Sequence, residues 1–414
     1  MARAFLRDMC RSTDIVSLTL ALGMRVLLAP FTGHPYDLSI WFNTGRLVAE
    51  FKSPYQIHIS IGYTGLWPLW LGVAYVVSSS LAPGNNYVYD LIIKLPIIAS
   101  DFAIPVLLVA LIRQIRPNID LSPSAISRIS QAYLLNPLVI LAGAVWAMPD
   151  NMIAAALLLA LLKLTKFKTS GTFTALAILI KPYPLVLIPP FLRYVKGKVW
   201  QFALPLAVIV CLGAAAPFLL VRETFSRLLG VVLSQTLRLP NAISPLSALV
   251  NLSSLFPQAI TTQQVTDIVT SVPIRFLWLE ALIALTILLI MRPRPTTMLS
   301  LIAWLRIFAV SYYVLFPAVS EQTLLPLVVL SMVDADAAGR LLGRSTYWLV
   351  STVVTAFIVL NVPIWGFLYP VIDISITGPV WWTTQALGLI VLHVLYVVLM
   401  LRDARTSWHI IGQN

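Results

Sequence analysis

Long apolar runs recur over the whole chain, and the polar stretches between them are short. Runs at 13–31, 88–112, 130–145, 149–165, 199–219, 273–291, 297–316, 319–333, 345–367 and 380–401 approach the roughly 20 residues a helix needs to cross about 30 Å of hydrocarbon. Two further apolar pieces are interrupted. Residues 63–82 follow Gly62 and carry Gly65 and Pro68, and residues 171–192 contain Lys181-Pro182-Tyr183-Pro184 and Pro189-Pro190. Proline removes a backbone donor and breaks a helix, which is tolerated at membrane depth only where protein or water meets the freed carbonyls. Both pieces are expected to be broken or re-entrant hairpins that return to the side they left. The pattern predicts an all-α, polytopic integral membrane protein of about 10–12 membrane helices, forming a single transmembrane domain over residues 1–414.

The polar interruptions are unequal. Residues 32–62 hold Asp37, an amphipathic run from Trp41 to Phe51 that reads as an interfacial helix, and Ser53-Pro54-Tyr55. A second long polar segment covers 220–272. Composition agrees with the pattern: 59% of residues are hydrophobic and 11% charged, where soluble domains carry about 25% charge. The net charge of +12 raises nucleic acid as a partner, but the placement of the basic residues answers it. With the N-terminus cytoplasmic and both hairpins returning, 18 Lys and Arg fall in cytoplasmic segments. The outer segments hold 5, namely Arg46, Lys52, Arg222, Arg227 and Arg238. That asymmetry is the positive-inside pattern and needs no nucleic acid. Both termini are then cytoplasmic, and the segments 32–62, 146–151, 220–272 and 319–322 share the extracytoplasmic face. A site assembled from several of these segments is the economical reading. Arg3, Arg7 and Arg11 precede the first apolar run without a small-residue cleavage site after it, so that span is expected to stay as an anchor. Cys10 and Cys211 are far apart and define neither a disulfide framework nor a metal site.

Several residues in this frame could carry chemistry. Asp37 is either an N-terminal cap for the helix at 38–50 or a general base for a bound hydroxyl. Arg46 and Glu50 are spaced as a surface pair on that helix. Lys94 and Asp101 lie on one face of a single span, about two turns apart; ionisable residues there face a bundle interior or a cavity. Lys94 meets a phosphate or snorkels, and Asp101 pairs with a basic group on a neighbouring helix or acts in catalysis. Asp150, beside Asn151, is a helix cap or a second carboxylate for a sugar hydroxyl or a metal. Arg306 lies mid-span and needs a partner, either a lipid-linked phosphate or an internal carboxylate such as Asp101. Tyr312 follows it toward the outer face, and Glu321-Gln322 stands at the outer turn, to bind substrate or to cap the next helix. Lys181, inside the second hairpin, either snorkels to the cytoplasmic surface or meets broken-helix carbonyls. His34 and His58 lack paired ligand spacing and read as surface polar residues rather than zinc ligands.

These pieces, in this order, resemble the polytopic lipid-sugar-dependent glycosyltransferases of the GT-C class, and most of all the branch containing the catalytic subunit of GPI mannosyltransferase I and its prokaryotic relatives. The resemblance rests on Tyr36-Asp37, Arg46, Ser53-Pro54-Tyr55, Gly62-Tyr63 through Trp67-Pro68-Leu69, Lys94 to Asp101, Asn136-Pro137 with Asp150, Lys181-Pro182-Tyr183-Pro184, Ile243-Ser244-Pro245 and Glu321-Gln322. It implies a GT-C fold with an extracytoplasmic site, a polyprenyl- or dolichyl-phosphate sugar donor, commonly of mannose, and an inverting transfer to a lipid-linked or glycan acceptor. Asp37 would be the base. Arg306, Lys94 or Arg238 would neutralise the leaving phosphate, with Asp150, Asn151, Asn241, Glu321, Gln322 and Tyr312 around the substrates and Asp101 and Lys181 as intramembrane supports. The family's first-loop acidic motif is Asp-x-Asp; here Pro35 replaces the first acid, so a divalent metal is not expected from that pair. Short loops favour a prokaryotic cell membrane. The competing class is a transporter or lipid flippase, since broken helices and buried charges also build midplane ion sites.

Overall fold

A computed structural model of the chain describes residues 15–55, 65–221, 230, 241–259, 261–334, 344–362, 367 and 379–412, and most of what it describes is helical. In chain order the helices are α1 (Ile15–Leu28), α2 (Pro35–Ala49), α3 (Leu66–Leu81), α4 (Asn86–Ile115), α5 (Pro123–Leu134), α6 (Pro137–Ile140), α7 (Asp150–Leu162), α8 (Phe167–Ile180), α9 (Ile188–Tyr194), α10 (Val199–Val221), α11 (Pro245–Leu255), α12 (Thr262–Thr270), α13 (Val272–Met291), α14 (Met298–Leu315), α15 (Leu325–Ser331), α16 (Arg344–Asn361) and α17 (Pro379–Gly412). Strands β1 (Asn241–Ala242) and β2 (Ala318–Val319) form a short parallel bridge. Local chemistry explains the helix starts. Proline stands at the first position of α2, α5, α6 and α11, where a missing N–H costs nothing. The Asn85 side chain accepts from the Tyr87 and Val88 amides to start α4, and Thr261 with Gln264 closes a capping box on α12.

Five described helical stretches are long and apolar enough to cross a bilayer: Asn86–Ile115, Val199–Ala216, Gln263–Met291, Met298–Leu315 and Gln385–Gly412. The α5–α6 pair, bent by 52° at Asn136-Pro137, makes a sixth if it counts as one span. The chain is thus a multi-pass membrane protein. Beside these, seven shorter apolar helical stretches of 10–17 residues follow other apolar runs, so the expected 10–12 membrane helices are met in part among the described residues. The run at 149–165, for example, yields α7, which has 13 residues and rises about 20 Å.

The two interrupted pieces differ. The 63–82 segment is not broken from Leu66 onward: α3 is continuous, and Pro68 sits in its first turn, where it is tolerated. Trp70 donates to the Ile93 carbonyl at 3.1 Å and Tyr75 meets Tyr89 edge-on, so α3 runs antiparallel to the first turns of α4. The 171–192 segment is a broken hairpin. α8 climbs about 21 Å to Lys181, where the chain turns extended. A 3-10 turn (Tyr183–Leu187) and α9 then lead back. At the return end Arg193 donates to the carbonyls of Ile290 and Arg292, both at 3.1 Å, and Arg294 donates to Tyr194 at 2.7 Å.

The core is continuous. α7 packs against α4 and α8, α10 covers α8, and α17 packs on α11, α14 and α16. One contact sets the spacing of α8 and α10: a Cβ on Gly171 would stand 2.2 Å from the Phe202 carbonyl oxygen. Because the obstacle is backbone, Gly171→Ala is expected to part these helices and to destabilise the protein by about 1–3 kcal/mol. Thermal unfolding in a fixed detergent should show the loss, and an unchanged melting temperature would refute this close approach.

Candidate functional site at the Asp37 end

α2 begins at Pro35 with His34 as its cap residue, which puts Asp37 inside the first turn rather than at the cap. The carboxylate is accordingly free of the capping role weighed from the sequence. It accepts from Trp146 Nε1 at 2.7 Å, and His34 Nδ1 lies 3.2 Å from the same oxygen. The imidazole nitrogen is near enough for an ion pair when protonated but is not aligned as a hydrogen bond. His34 stacks on Trp146 with ring centroids 5.4 Å apart, and Phe367 packs edge-on against Trp146 at 5.3 Å. The Asp37 side chain keeps 24% of its surface exposed. The site therefore holds an ionisable oxygen that solvent or substrate can reach, oriented by one indole donor.

Trp146 reaches Asp37 through an unusual stretch of backbone. After α6 the chain widens into a π turn at Leu141–Val145, and Ala147 follows with φ of 69°. π turns and left-handed non-glycine residues both concentrate at functional sites. Gly143 makes the turn fit: a Cβ there would meet Asn151 Nδ2 at 2.6 Å and Asp101 Oδ2 at 3.3 Å.

Asp150 lies at the first position of α7 and, like Asp37, caps nothing. It is fully buried, and Lys181 Nζ sits 3.2 Å from one oxygen and 3.4 Å from the other. Lys181 thus pairs with Asp150, a partner that the sequence did not suggest. Tyr183, Tyr312 and Tyr313 close over this pair, with Tyr183 and Tyr312 stacked at 6.4 Å. Glu321 is also buried; it accepts from Asn361 Nδ2 at 3.3 Å and lies close enough to His34 and Asp37 to feel their charges. Gln322 is buried beside it, and its side-chain oxygen meets no hydrogen-bond donor among the described residues. Asp37, Asp150, Lys181, Tyr312, Glu321 and Gln322 are therefore gathered at one end of the bundle.

The other candidates are committed to different partners. Arg306 is buried and engages Asp403 of α17 through Nε and Nη2, so its guanidinium is taken up by a carboxylate and not held open for a phosphate. Its partner is also not Asp101. Asp101 meets Arg25 of α1 at 2.8 Å and receives Tyr133 at 3.2 Å and Asn151 at 2.5 Å. Asn151 thus points into the bundle rather than toward a substrate. Lys94, fully buried, spends its ammonium on backbone carbonyls. Arg46 donates to Asn43 at 3.5 Å, while Glu50 pairs with Lys52 at 2.8 Å, so the expected Arg46–Glu50 pair does not form. The Lys52 hydrogen bond holds the Glu50 carboxyl below its ordinary value. Asn241 contributes backbone to the β1–β2 bridge, and Arg238 and His58 lie outside the described residues. Among the described residues no group of three His, Cys, Asp or Glu could hold a metal ion.

Four participants escaped sequence reasoning. Arg25 stands alone within an apolar helix, where an isolated charge is itself a signal of a buried partner, whereas Asp403 lies between Arg402 and Arg405 and reads as part of a charged helix end. Trp146 carried no distinguishing mark. His34 was set aside as a surface residue, yet Pro35 identifies it as the residue before a helix start. No protein-family profile matches the chain, and no curated protein matches it.

Proposed function

We propose that the protein is a membrane glycosyltransferase that moves a sugar, mannose in the simplest case, from a polyprenyl- or dolichyl-phosphate donor to a lipid-linked or glycan acceptor. The observation that carries this reading is the Asp37 carboxylate: partly exposed, free of capping duty, and aimed by Trp146 at the end of a membrane-embedded bundle. A positioned carboxylate is what deprotonating an acceptor hydroxyl requires. Asp37 takes the proton as the acceptor oxygen bonds to the anomeric carbon, and the donor's carbon–oxygen bond breaks with its electrons leaving on the phosphate. Attack opposite the leaving group inverts the anomeric centre, through an oxocarbenium-like state as in glycoside hydrolysis. The gathering of Asp150, Lys181, Glu321, Gln322 and the tyrosines supplies hydroxyl-binding groups and aromatic faces suited to a sugar ring.

Fixed cations are expected to stabilise the leaving phosphate. With Arg306 and Lys94 committed elsewhere, that task falls to Arg238 or to Lys181, whose side chain keeps 14% of its surface exposed despite its bond to Asp150. The asymmetry of basic residues, 18 against 5, supports an extracytoplasmic position for this end, with both termini cytoplasmic. The deciding experiment reconstitutes the purified chain in lipid vesicles with synthetic short-chain polyprenyl-phosphate mannose and a glycolipid acceptor. Mannosyl product supports the reading; movement of the intact donor across the bilayer without product would replace it with a flippase. Within that assay Arg238→Ala should raise the donor KM about tenfold, the equivalent of one charge-assisted hydrogen bond. An unchanged KM would shift the phosphate role to Lys181.

A further inference from the structure

Lys94 meets three carbonyl oxygens that belong to two separate stretches of chain. Its ammonium lies 2.7 Å from Ala29 O, 2.5 Å from Thr32 O and 3.2 Å from Val145 O. Ala29 and Thr32 close the turn after α1; two residues beyond Thr32 is His34, and five beyond it is Asp37. Val145 immediately precedes Trp146, the donor to Asp37. The two sides of the Asp37–Trp146 hydrogen bond are thus pinned to one point on α4. Three converging acceptors repel one another unless a donor with three N–H groups stands between them, and an ammonium is the side-chain group of that shape. Asp90, one turn earlier on α4 and buried, offsets its charge. A planar guanidinium would not meet three oxygens converging on a point.

We propose that Lys94 is a positioning residue for Asp37: its ammonium holds the 29–37 and 145–146 backbone stretches together so that Trp146 aims the carboxylate. Its effect on catalysis rests on the function proposed above; its effect on geometry does not. Lys94 touches no donor atom in this scheme, which separates it from the phosphate-binding role that its place near a helix end first suggested.

The test has two arms. In the transfer assay Lys94→Met should lower kcat about a hundredfold, the loss that misplacement by about 1 Å brings, and leave the donor KM within about twofold. A donor KM raised at least tenfold with kcat retained would overturn the proposal in favour of a phosphate ligand. The second arm needs no activity. The protein is labelled with 5-fluorotryptophan, and the Trp146 fluorine resonance among the 12 tryptophans is assigned by its loss in Trp146→Phe. Lys94→Met should move that resonance to the position seen in Asp37→Ala, where the acceptor is gone. An unmoved resonance would overturn the proposal. If Lys94→Met does not fold, Lys94→Gln, which keeps two N–H donors for the three carbonyls, is read by the same criteria. If the wild-type protein transfers no sugar, the functional reading fails and the fluorine arm still decides whether Lys94 sets the Asp37 contact.

Discussion

Asp37→Asn is expected to reduce sugar transfer by about 10²–10⁴-fold, the usual contribution of a general base, while the protein keeps its fold. The asparagine side-chain oxygen can still accept from Trp146 Nε1, so the 2.7 Å contact is retained and only the proton-accepting capacity is lost. Product formation from the short-chain donor, set beside the melting temperature of the same preparation, measures both halves of this statement. A variant that transfers at near the wild-type rate would remove Asp37 from the mechanism. A variant that fails to fold would show that the carboxylate is structural, although its partial exposure argues otherwise.

The second large effect is on stability. Arg306→Met or Asp403→Leu alone should cost about 3–5 kcal/mol, because each leaves a buried charge without its partner. Arg306→Met combined with Asp403→Leu should recover most of that loss, since a well-packed apolar pair often replaces a buried ion pair without penalty. The double variant also separates two roles. If Arg306 only locks α14 to α17, the double variant transfers sugar normally. If it bound the donor phosphate, the double variant would be stable and inactive. Unfolding in detergent and the transfer assay, run on all three variants, decide between these outcomes.

The parts that could be read from the sequence were those set by local rules. Apolar periodicity found the helices, and Lys181-Pro182 marked a real break in 171–192. Pro68 misled because a proline in the first turn of α3 starts a helix as readily as it ends one. The same rule, applied to Pro35, would have placed His34 at the cap and Asp37 one turn in. What could not be read was pairing across long separations. Arg25 with Asp101, and Arg306 with Asp403, join residues 76 and 97 positions apart. Nothing local distinguishes either carboxylate as the partner of a particular arginine. The Trp146 contact depends on the π turn and the left-handed Ala147, and a non-glycine residue gives no local sign of positive φ. Helix ends were not legible either, because apolar composition does not record where a helix stops, and α7 and α8 stop early.

Those early stops make bilayer thickness part of the site. α7 and α8 rise about 20 Å in a hydrocarbon layer of about 30 Å, and Asp150 and Lys181 mark their upper ends. A thick, sterol-stiffened leaflet would seal over the ion pair, whereas a thin or compliant one would dimple toward it, at a cost of fractions of a kcal/mol for each ångström of mismatch. The acyl-chain length of the surrounding lipids is therefore expected to set access to the Lys181 turn, and transfer measured in vesicles of increasing acyl-chain length should fall as the bilayer thickens.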